Sequence, residues 1–252
     1  MTGWVDTHCH LQMAADDATG LVERAVDAGV EWMVCPGTDA ASSRAALELA
    51  LRFPDRVLAA AGLHPHEASR WSEERDRIEA LAAQSAAVGE SGLDFYRNLS
   101  PREDQVAAFT DQLRLAETLD KPVVVHCRDA FAEVHDALDS IDVGARAVLH
   151  CWTGGPKWTK RFAELGVTFS FAGPITFDGG DTVRRGAAVA PRDRVMVETD
   201  TPYLTPPPDR RSPNEPANVV AVGKALAGVW GDDVDEVAAA TSLAAAAVFG
   251  GP

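Results

Sequence analysis

The sequence predicts an α/β protein that folds as a TIM-type (β/α)8 barrel, in a single domain over residues 1–252. Short apolar runs rich in β-branched residues alternate with longer segments of helical periodicity, and eight such runs occur. This alternation predicts a parallel sheet with right-handed crossovers. A length of 252 residues is typical of a closed eight-stranded barrel.

The predicted strands are short apolar runs that end at a polar residue or a turn. They cover residues 4–8, 32–36, 57–63, 87–90, 123–126, 147–150, 167–171 and 195–198. The clearest helical pattern runs from Phe109 to Leu119, and Pro122 then ends it. Residues 201–216 are rich in proline and predict an ordered loop, and residues 218–249 predict two extra C-terminal helices. An open doubly wound sheet is the alternative fold, although no Gly-x-Gly-x-x-Gly motif follows the first strand.

Composition narrows the class of protein. The formal net charge of −15 excludes an overall basic surface for nucleic acid, but bound metals and a local basic patch can reverse the field inside one cleft. No signal peptide and no bilayer-spanning run are found, so we expect no membrane association. The four cysteines form no Cys-x-x-Cys pair, which favours a reduced, cytoplasmic protein. Nothing in the sequence implies a stable protein partner.

The strongest local signal is the pair His8 and His10 at the end of the first predicted strand. Residues two apart in a strand point the same way, so both imidazoles can face one ion. Catalytic groups of such barrels cluster at the C-terminal ends of the strands, where this pair lies. By itself the His-x-His pattern is a weak signal because short motifs are common.

Four more side chains that can bind metals follow other predicted strands: Glu90, His126, His150 and Asp200. A lone histidine in such a position is usually an ordinary core or surface residue, but the whole set together indicates a metal site. Four imidazoles and two carboxylates exceed the ligand set of one catalytic zinc ion, so we predict two divalent ions. Glu90 can bridge ions about 3.5–4 Å apart. These imidazoles and carboxylates can bind zinc, manganese or magnesium.

Several longer motifs occur in order along the chain. They are Asp-Thr-His-Cys-His-Leu at residues 6–11, Gly-Leu-His-Pro-His at 62–66, Gly-Glu-Ser-Gly-Leu-Asp-Phe-Tyr-Arg at 89–97, Lys-Pro-Val-Val-Val-His-Cys-Arg at 121–128, His-Cys-Trp-Thr-Gly at 150–154 and Glu-Thr-Asp-Thr-Pro-Tyr-Leu at 198–204. With these motifs the sequence resembles the TatD family of metal-dependent deoxyribonucleases, within the amidohydrolase-like barrel superfamily. The last helix departs from the family pattern, since Ala244 and Ala247 stand where Asn and Arg are expected, which puts its packing in doubt.

The resemblance implies a two-metal centre and an activity. One ion would be held by His8, His10, Glu90 and Asp200, and the other by Glu90, His126 and His150. The implied activity is metal-dependent 3′→5′ exonuclease action on DNA, with single strands preferred, in DNA repair or degradation. We hypothesise that a metal-activated water attacks the phosphodiester in line, and that Asp200 accepts a proton from this water.

Four further residues near the strand ends are candidates for supporting roles. His64 is a candidate catalytic residue that would hydrogen-bond a phosphate or a metal-bound water, and a simple loop histidine is an equal alternative. His66 is interpreted as structural or surface. Asp94 and Glu198 are predicted to orient the metal-ligating histidines from behind.

Substrate contacts are predicted from arginines and aromatic residues just beyond the motif-bearing strands. Arg97, Arg128 and Arg211 would bind phosphates as bidentate donors. Trp152 and Tyr203 could stack on bases, but a packing role is favoured for both. The cysteines that follow the ligand histidines are expected to be small packing groups pointing away from the site.

Two other functions are compatible with the same residues. The alternative is a metal-dependent hydrolase of acyl, amide or ester bonds, such as one that deacylates aminoacyl-tRNA or acts on a small molecule. A non-catalytic binding module is disfavoured because all six candidate ligands are present.

Overall fold

Residues 3–14 and 17–252 are described by the computed structural model. Within them, eight parallel strands form one sheet in sequential order. They are β1 (Trp4–Asp6), β2 (Val30–Pro36), β3 (Val57–Ala61), β4 (Ala87–Asp94), β5 (Val123–Arg128), β6 (Ala147–Leu149), β7 (Thr168–Phe171) and β8 (Val195–Val197). The sheet closes because the Thr7 N–H donates to the Val197 carbonyl and Cys9 forms a parallel bridge with Thr201. The predicted TIM-type barrel is confirmed, and the open sheet is excluded.

Helices connect successive strands and cover the outside of the barrel. In the described residues they are α1 (Ala18–Asp27), α2 (Ala40–Arg52), α3 (Trp71–Ala82), α4 (Arg102–Leu119), α5 (Phe131–Ile141), α6 (Pro156–Glu164), α7 (Asp181–Ala187), α8 (Val219–Trp230) and α9 (Val234–Phe249). The two predicted C-terminal helices are confirmed as α8 and α9, and the proline-rich loop lies between β8 and α8. None of these helices is long and apolar enough to cross a bilayer.

Successive side chains along each strand point to opposite faces of the sheet, so they pack in two separate layers. Val124 and Val148 belong to a small cluster that fills the barrel interior and also contains Ala245 and Phe249 of α9. Val125 alternates with Val124 and packs in the larger outer layer, between the sheet and the helices. The barrel interior is therefore a solid core rather than a channel.

Helix α9 closes the N-terminal end of the barrel. The Ser242 hydroxyl donates to the carbonyl of Gly3, which lies just before β1. Ala244 is buried in the interior cluster, and Ala247 is exposed. Of the two positions that depart from the family pattern, only Ala244 therefore packs in the core. The opposite end, where the carboxyl ends of the strands lie, is left for the functional site.

The ends of β1 and β3 differ from the prediction because backbone pairing, not the apolar pattern, sets strand length. β1 ends at Asp6, so His8 and His10 lie beyond the strand rather than within it. β3 ends at Ala61, before the predicted end at residue 63. The apolar residues that follow pack without extending the ladder.

Strand β4 is longer than predicted, because residues 91–94 pair with β5. The glycines of this segment allow a close approach of two backbones. Gly92 has φ +139°, and a Cβ on it would lie 2.0 Å from the carbonyl oxygen of His126. This approach brings Glu90 of β4 beside His126 of β5.

Candidate metal centre

Two imidazoles converge directly after β1. The Nε2 atoms of His8 and His10 lie 3.1 Å apart, and both side chains are buried. The N–H of His10 donates to the Thr201 carbonyl, which holds this segment against the end of β8. His10 Nδ1 lies 3.0 Å from the carbonyl oxygen of Pro36. Because a carbonyl only accepts, the proton of His10 is on Nδ1 and its Nε2 carries a lone pair.

The carboxylate of Glu90 lies between two pairs of imidazoles and is only 2% exposed. Its Oε2 is 3.3 Å from His8 Nε2 and 3.4 Å from His10 Nε2. Its Oε1 is 3.0 Å from His126 Nδ1 and 2.9 Å from His150 Nε2. Each carboxylate oxygen therefore faces a different pair of ring nitrogens.

Asp200 lies beside the first imidazole pair. Its Oδ1 is 3.7 Å from the Nε2 atoms of both His8 and His10. The residue follows the end of β8 in a left-handed conformation with φ 58°, and its N–H donates to the carbonyl of His8. This bond joins the segment after β8 to the segment after β1, so both supply groups to one place.

A buried carboxylate lies behind each imidazole of the second pair. Glu198 Oε1 is 3.2 Å from His150 Nδ1, and Asp94 Oδ2 is 3.3 Å from His126 Nε2. Both carboxylates are fully buried. They face the ring nitrogen that points away from Glu90, which is the arrangement by which outer carboxylates orient ligand histidines.

Burial and mutual pairing set the protonation of the cluster. Burial favours a neutral carboxyl, but the imidazoles, above all His150, hold the pKa of Glu90 well below its ordinary range. Burial also opposes charge on His150, yet Glu90 and Glu198 raise its pKa well above the usual value. Burial and His150 lower the pKa of His8 to about 4, and burial raises the pKa of Asp200 to about 7. A cation bound here would displace protons from such groups.

Two more histidines follow β3 at the edge of the cluster. His64 Nε2 lies 3.3 Å from Glu90 Oε1, and burial lowers the pKa of His64 to about 4. The His66 N–H donates to His64 Nδ1, and the His66 Nε2 is 2.8 Å from Asp94 Oδ2. Strand alternation could not indicate the contact with Asp94, because a 3-10 turn over Pro65–Arg70 carries His66 back toward β4.

A cavity of about 730 Å³ opens onto the cluster. Arg97 and Arg128, two of the predicted phosphate-binding residues, line it. The Arg128 guanidinium lies over the ring of Tyr96, 4.1 Å from the ring centre. Arg211 is exposed on the loop after β8 and is not part of the cavity lining in the described chain. Two of the three predicted arginines therefore line the cavity.

The two aromatic candidates differ in their surroundings. Trp152 is buried and donates from Nε1 to the Thr159 hydroxyl, so its expected packing role is confirmed. The packing role favoured for Tyr203 is wrong, because its side chain is half exposed and lines the cavity. Cys151 also lines the cavity instead of pointing away from it. It has φ 43°, so strand alternation does not apply to it.

A buried network that the sequence analysis missed joins the ends of β1 and β8. Asp6 accepts hydrogen bonds from the Thr199 hydroxyl at 2.6 Å and the Thr199 N–H at 2.9 Å. The Asn214 amide donates to the carbonyls of Thr199 and Tyr203. Asp6 and Asn214 were visible as polar residues within or near the motifs, but nothing in their spacing indicated these partners. The network fixes the backbone on both sides of Asp200.

The donor set fits divalent cations. In the described part of the chain, ligand atoms within 4.8 Å of one another are found in three groups: His8, His10 and Asp200; His64, Glu90 and His126; and His8, His150 and Glu198. Imidazoles that give up their protons to an incoming cation, together with an ionised carboxylate, are donors that zinc and similar ions bind. The lone pair of His10 Nε2 points toward His8 and could coordinate such an ion.

Comparison with known proteins identifies the family. The sequence profile described as TatD related DNase matches residues 5–250. The chain belongs to the TatD family. It is accordingly a metal-dependent hydrolase that acts on ester bonds, and the resemblance inferred from the motifs is confirmed.

TatD proteins of enterobacteria are similar to the chain over almost its whole length. The "3′-5′ ssDNA/RNA exonuclease TatD" of Erwinia amylovora is 40% identical over 247 residues, which cover 94% of this chain and 95% of the relative. The protein with the same name from Salmonella typhimurium is 37% identical over 245 residues, covering 93% and 94% of the two chains.

Solved structures of TatD proteins share the fold. A TatD homologue from Escherichia coli K12 superposes with a TM-score of 0.93 at 28% identity, covering 99% of this chain and 98% of its own. A TatD family hydrolase from Entamoeba histolytica gives a TM-score of 0.86 at 15% identity, covering 98% of both chains. The second likeness concerns the fold alone.

Proposed function

We propose that this TatD protein is a 3′→5′ exonuclease that hydrolyses phosphodiester bonds of single-stranded DNA and uses two divalent ions. The observation that carries the proposal is the position of Glu90, whose two oxygens each face one imidazole pair at the floor of the cavity. RNA is included as a second substrate because relatives about 40% identical are named for both nucleic acids.

The two ions would share Glu90. One would be held by His8, His10, Glu90 and Asp200, and the other by Glu90, His126 and His150. Bound there, divalent ions would polarise the phosphoryl group and make an attacking water more acidic. Four imidazole nitrogens favour zinc or manganese over magnesium, which prefers oxygen ligands.

Asp200 is the proposed proton acceptor. Its side chain lines the cavity, whereas Glu90 is held more deeply between the histidines. A carboxylate in this position can take the proton of a water that attacks the phosphorus, once the water lies between Asp200 and the scissile phosphate. Glu90 would contribute by holding the two pairs of imidazoles in fixed positions relative to each other.

His64 is proposed as a hydrogen-bond donor to the phosphate rather than a metal ligand. Its Nδ1 accepts the His66 N–H, so the proton of the neutral ring is on Nε2, which faces the site. The burial that lowers the pKa of His64 to about 4 keeps the ring neutral near pH 7. A neutral imidazole with Nε2–H can donate to a phosphoryl oxygen but has no lone pair on that atom for a metal.

Arg97 and Arg128 would bind the phosphates that flank the scissile bond. Both line the cavity, and a guanidinium makes two parallel hydrogen bonds to a phosphate. The formal net charge of −15 repels a polyanion at long range, so these local cations and the metals must supply the attraction. This lining favours a phosphodiester over a neutral amide or ester substrate.

The decisive experiment is a substrate panel with metal-reconstituted protein. Single-stranded DNA labelled at the 3′ end should release labelled mononucleotide at once, and the same strand labelled at the 5′ end should shorten stepwise. Single-stranded RNA should be degraded in the same direction, and a blunt duplex only slowly. Hydrolysis of aminoacyl esters without any cleavage of DNA would reject the proposal in favour of the acyl-hydrolase alternative.

A further inference from the structure

Three exposed apolar side chains line the cavity that opens onto the metal site. Met13, Leu99 and Tyr203 are 42%, 64% and 52% exposed, and all three line the cavity described above. They come from the segments after β1, β4 and β8, which are far apart in the sequence. Single exposed hydrophobic residues are ordinary on a surface, but three from separate segments that line one cavity form a built surface. We call these three residues the apolar wall.

Hydrogen bonds hold the backbone at or beside two residues of the wall, although the side chains face solvent. The Tyr203 N–H donates to the Asp200 carbonyl at 2.8 Å, and the Tyr203 carbonyl accepts the Asn214 amide at 2.7 Å. Leu99 precedes Ser100, whose buried hydroxyl donates to the His66 carbonyl. A backbone that is already fixed adds no ordering cost of its own when a ligand covers these side chains, so the cost is limited to their rotamers.

The wall shares its cavity with cationic groups. Arg97 and Arg128 contribute to the same lining, and the Arg128 guanidinium is already stacked on the ring of Tyr96. A ligand that satisfies this lining must carry anionic groups for the arginines and flat apolar faces for the wall. Nucleotides of an unpaired strand have both, because their phosphates and base faces are exposed together.

We propose that the apolar wall is a nucleobase subsite that contacts the bases at the 3′ end of a single strand. This inference rests on the proposed exonuclease function and adds the residues that select the strand. In a duplex the base faces are covered by neighbouring pairs, so the wall has nothing to contact. Met13 and Leu99 carry no strong hydrogen-bonding group, so the subsite accepts any base.

The test compares two single-stranded substrates that differ only in their bases. One is an ordinary oligonucleotide, and in the other the two nucleotides at the 3′ end are replaced by tetrahydrofuran abasic units. The variants are Leu99→Ala and Tyr203→Ala, with Tyr203→Phe to retain the ring. Leu51→Ala and Leu243→Ala are matched controls, because these leucines are 75% and 71% exposed and do not line the cavity.

Each wall variant should lower kcat/KM for the ordinary strand about tenfold, mainly through KM, since base stacking contributes about 1–3 kcal/mol. The same variants should hydrolyse the abasic end at the wild-type rate, and the two controls should match wild type on both substrates. Tyr203→Phe keeps the ring and should lose less kcat/KM for the ordinary strand than Tyr203→Ala does. Thermal unfolding verifies that each variant is folded. If Tyr203→Ala is unfolded, Leu99→Ala carries the test.

Two results would overturn the subsite. Wild-type enzyme that hydrolyses base-bearing and abasic ends equally would show that the wall does not contact bases. Wall variants that lose activity equally on both substrates would show a structural role instead. These results differ from failure of the proposed function itself, in which wild-type protein would cleave neither strand while hydrolysing another class of ester.

Discussion

The Nε2 atoms of His8 and His10 face each other at 3.1 Å, while the Nδ1 of His10 donates to the Pro36 carbonyl. A neutral His8 must place its single proton either between these two atoms or on Nδ1, which is buried without a hydrogen-bond partner among the described residues. A divalent ion held by both Nε2 atoms would replace this contact and accept both lone pairs. The spacing of the two Nε2 atoms, with Asp200 beside them, suits a shared cation.

Replacing Asp200 by Asn should remove turnover while the protein stays folded. An amide cannot accept the proton of the attacking water, so we expect kcat to fall at least about 100-fold. Single-turnover hydrolysis of labelled DNA, at metal content matched by elemental analysis, is the measurement. The exposed Asp136→Asn is the control and should behave as wild type. Wild-type kcat in Asp200→Asn would show that another group accepts the proton.

Glu198→Gln should weaken metal binding without removing a ligand. Glu198 Oε1 lies 3.2 Å from His150 Nδ1 and also accepts the N–H of Cys151 at 2.8 Å. Loss of such an outer carboxylate typically costs about 10–100-fold in metal affinity. Competition with a chromophoric chelator measures this, with the exposed Glu23→Gln as the control. Unchanged affinity in Glu198→Gln would mean that the orientation of His150 does not depend on this carboxylate.

Tyr96 should act through Arg128, whose guanidinium lies 4.1 Å from the centre of its ring. A cation–π contact at an exposed site contributes about 0.5–1 kcal/mol, so Tyr96→Ala should raise KM for single-stranded DNA several-fold. Tyr96→Phe should not change KM. Arg128→Gln should raise KM further and lower the slope of log KM against log salt by about one, as for one lost phosphate contact. If Tyr96→Ala still raises KM in the Arg128→Gln background, the ring contacts the substrate by itself.

His64 should make the metal-free protein sensitive to acid. Its pKa is lowered from the ordinary 6.5 to about 4, chiefly by burial. Between pH 6.5 and 4 the unfolded chain therefore binds more protons at this residue than the folded chain, and the free energy of unfolding falls as pH falls. The loss through this window is about 3 kcal/mol at most. It is absent above pH 6.5, where both states are neutral.

Denaturant unfolding of wild type and His64→Gln at pH 4.5 and pH 7, with chelator present, measures this contribution. The free energy of unfolding of His64→Gln should fall less between the two pH values, because glutamine does not titrate. His126 and His66 interact electrostatically with His64, so the difference reports His64 together with its coupling to these two histidines. Identical losses in the two proteins would contradict burial of a neutral His64.

The arrangement of the barrel and the convergence of the candidate ligands were predictable from the sequence. Parallel strands carry their carboxyl ends to one face, so Glu90 and His150, which are 60 positions apart, could be expected to meet. Apolar runs followed by a polar residue indicate such ends directly. This signal is local, because each strand carries it independently of the others.

Contacts between distant loops were not predictable. The pairing of His66 with Asp94 depends on a 3-10 turn that reverses the chain, and the pairing of Asp6 with Thr199 depends on closure of the barrel. Tyr203 was expected to pack because aromatic residues usually do, but the turn after Asp200 leaves its ring in the cavity. In each case the partner is chosen by tertiary geometry that no local pattern encodes.

The most direct test of the account is a metal titration of chelator-treated protein. Zinc or manganese is added in steps, bound metal per chain is counted by elemental analysis, and hydrolysis of end-labelled single-stranded DNA is measured at each step. We predict no hydrolysis without metal and full activity only when the second equivalent of metal binds. The Glu90→Gln variant should not reach full activity at any metal concentration. Full activity of the metal-free protein, or of Glu90→Gln, would contradict the two-metal centre.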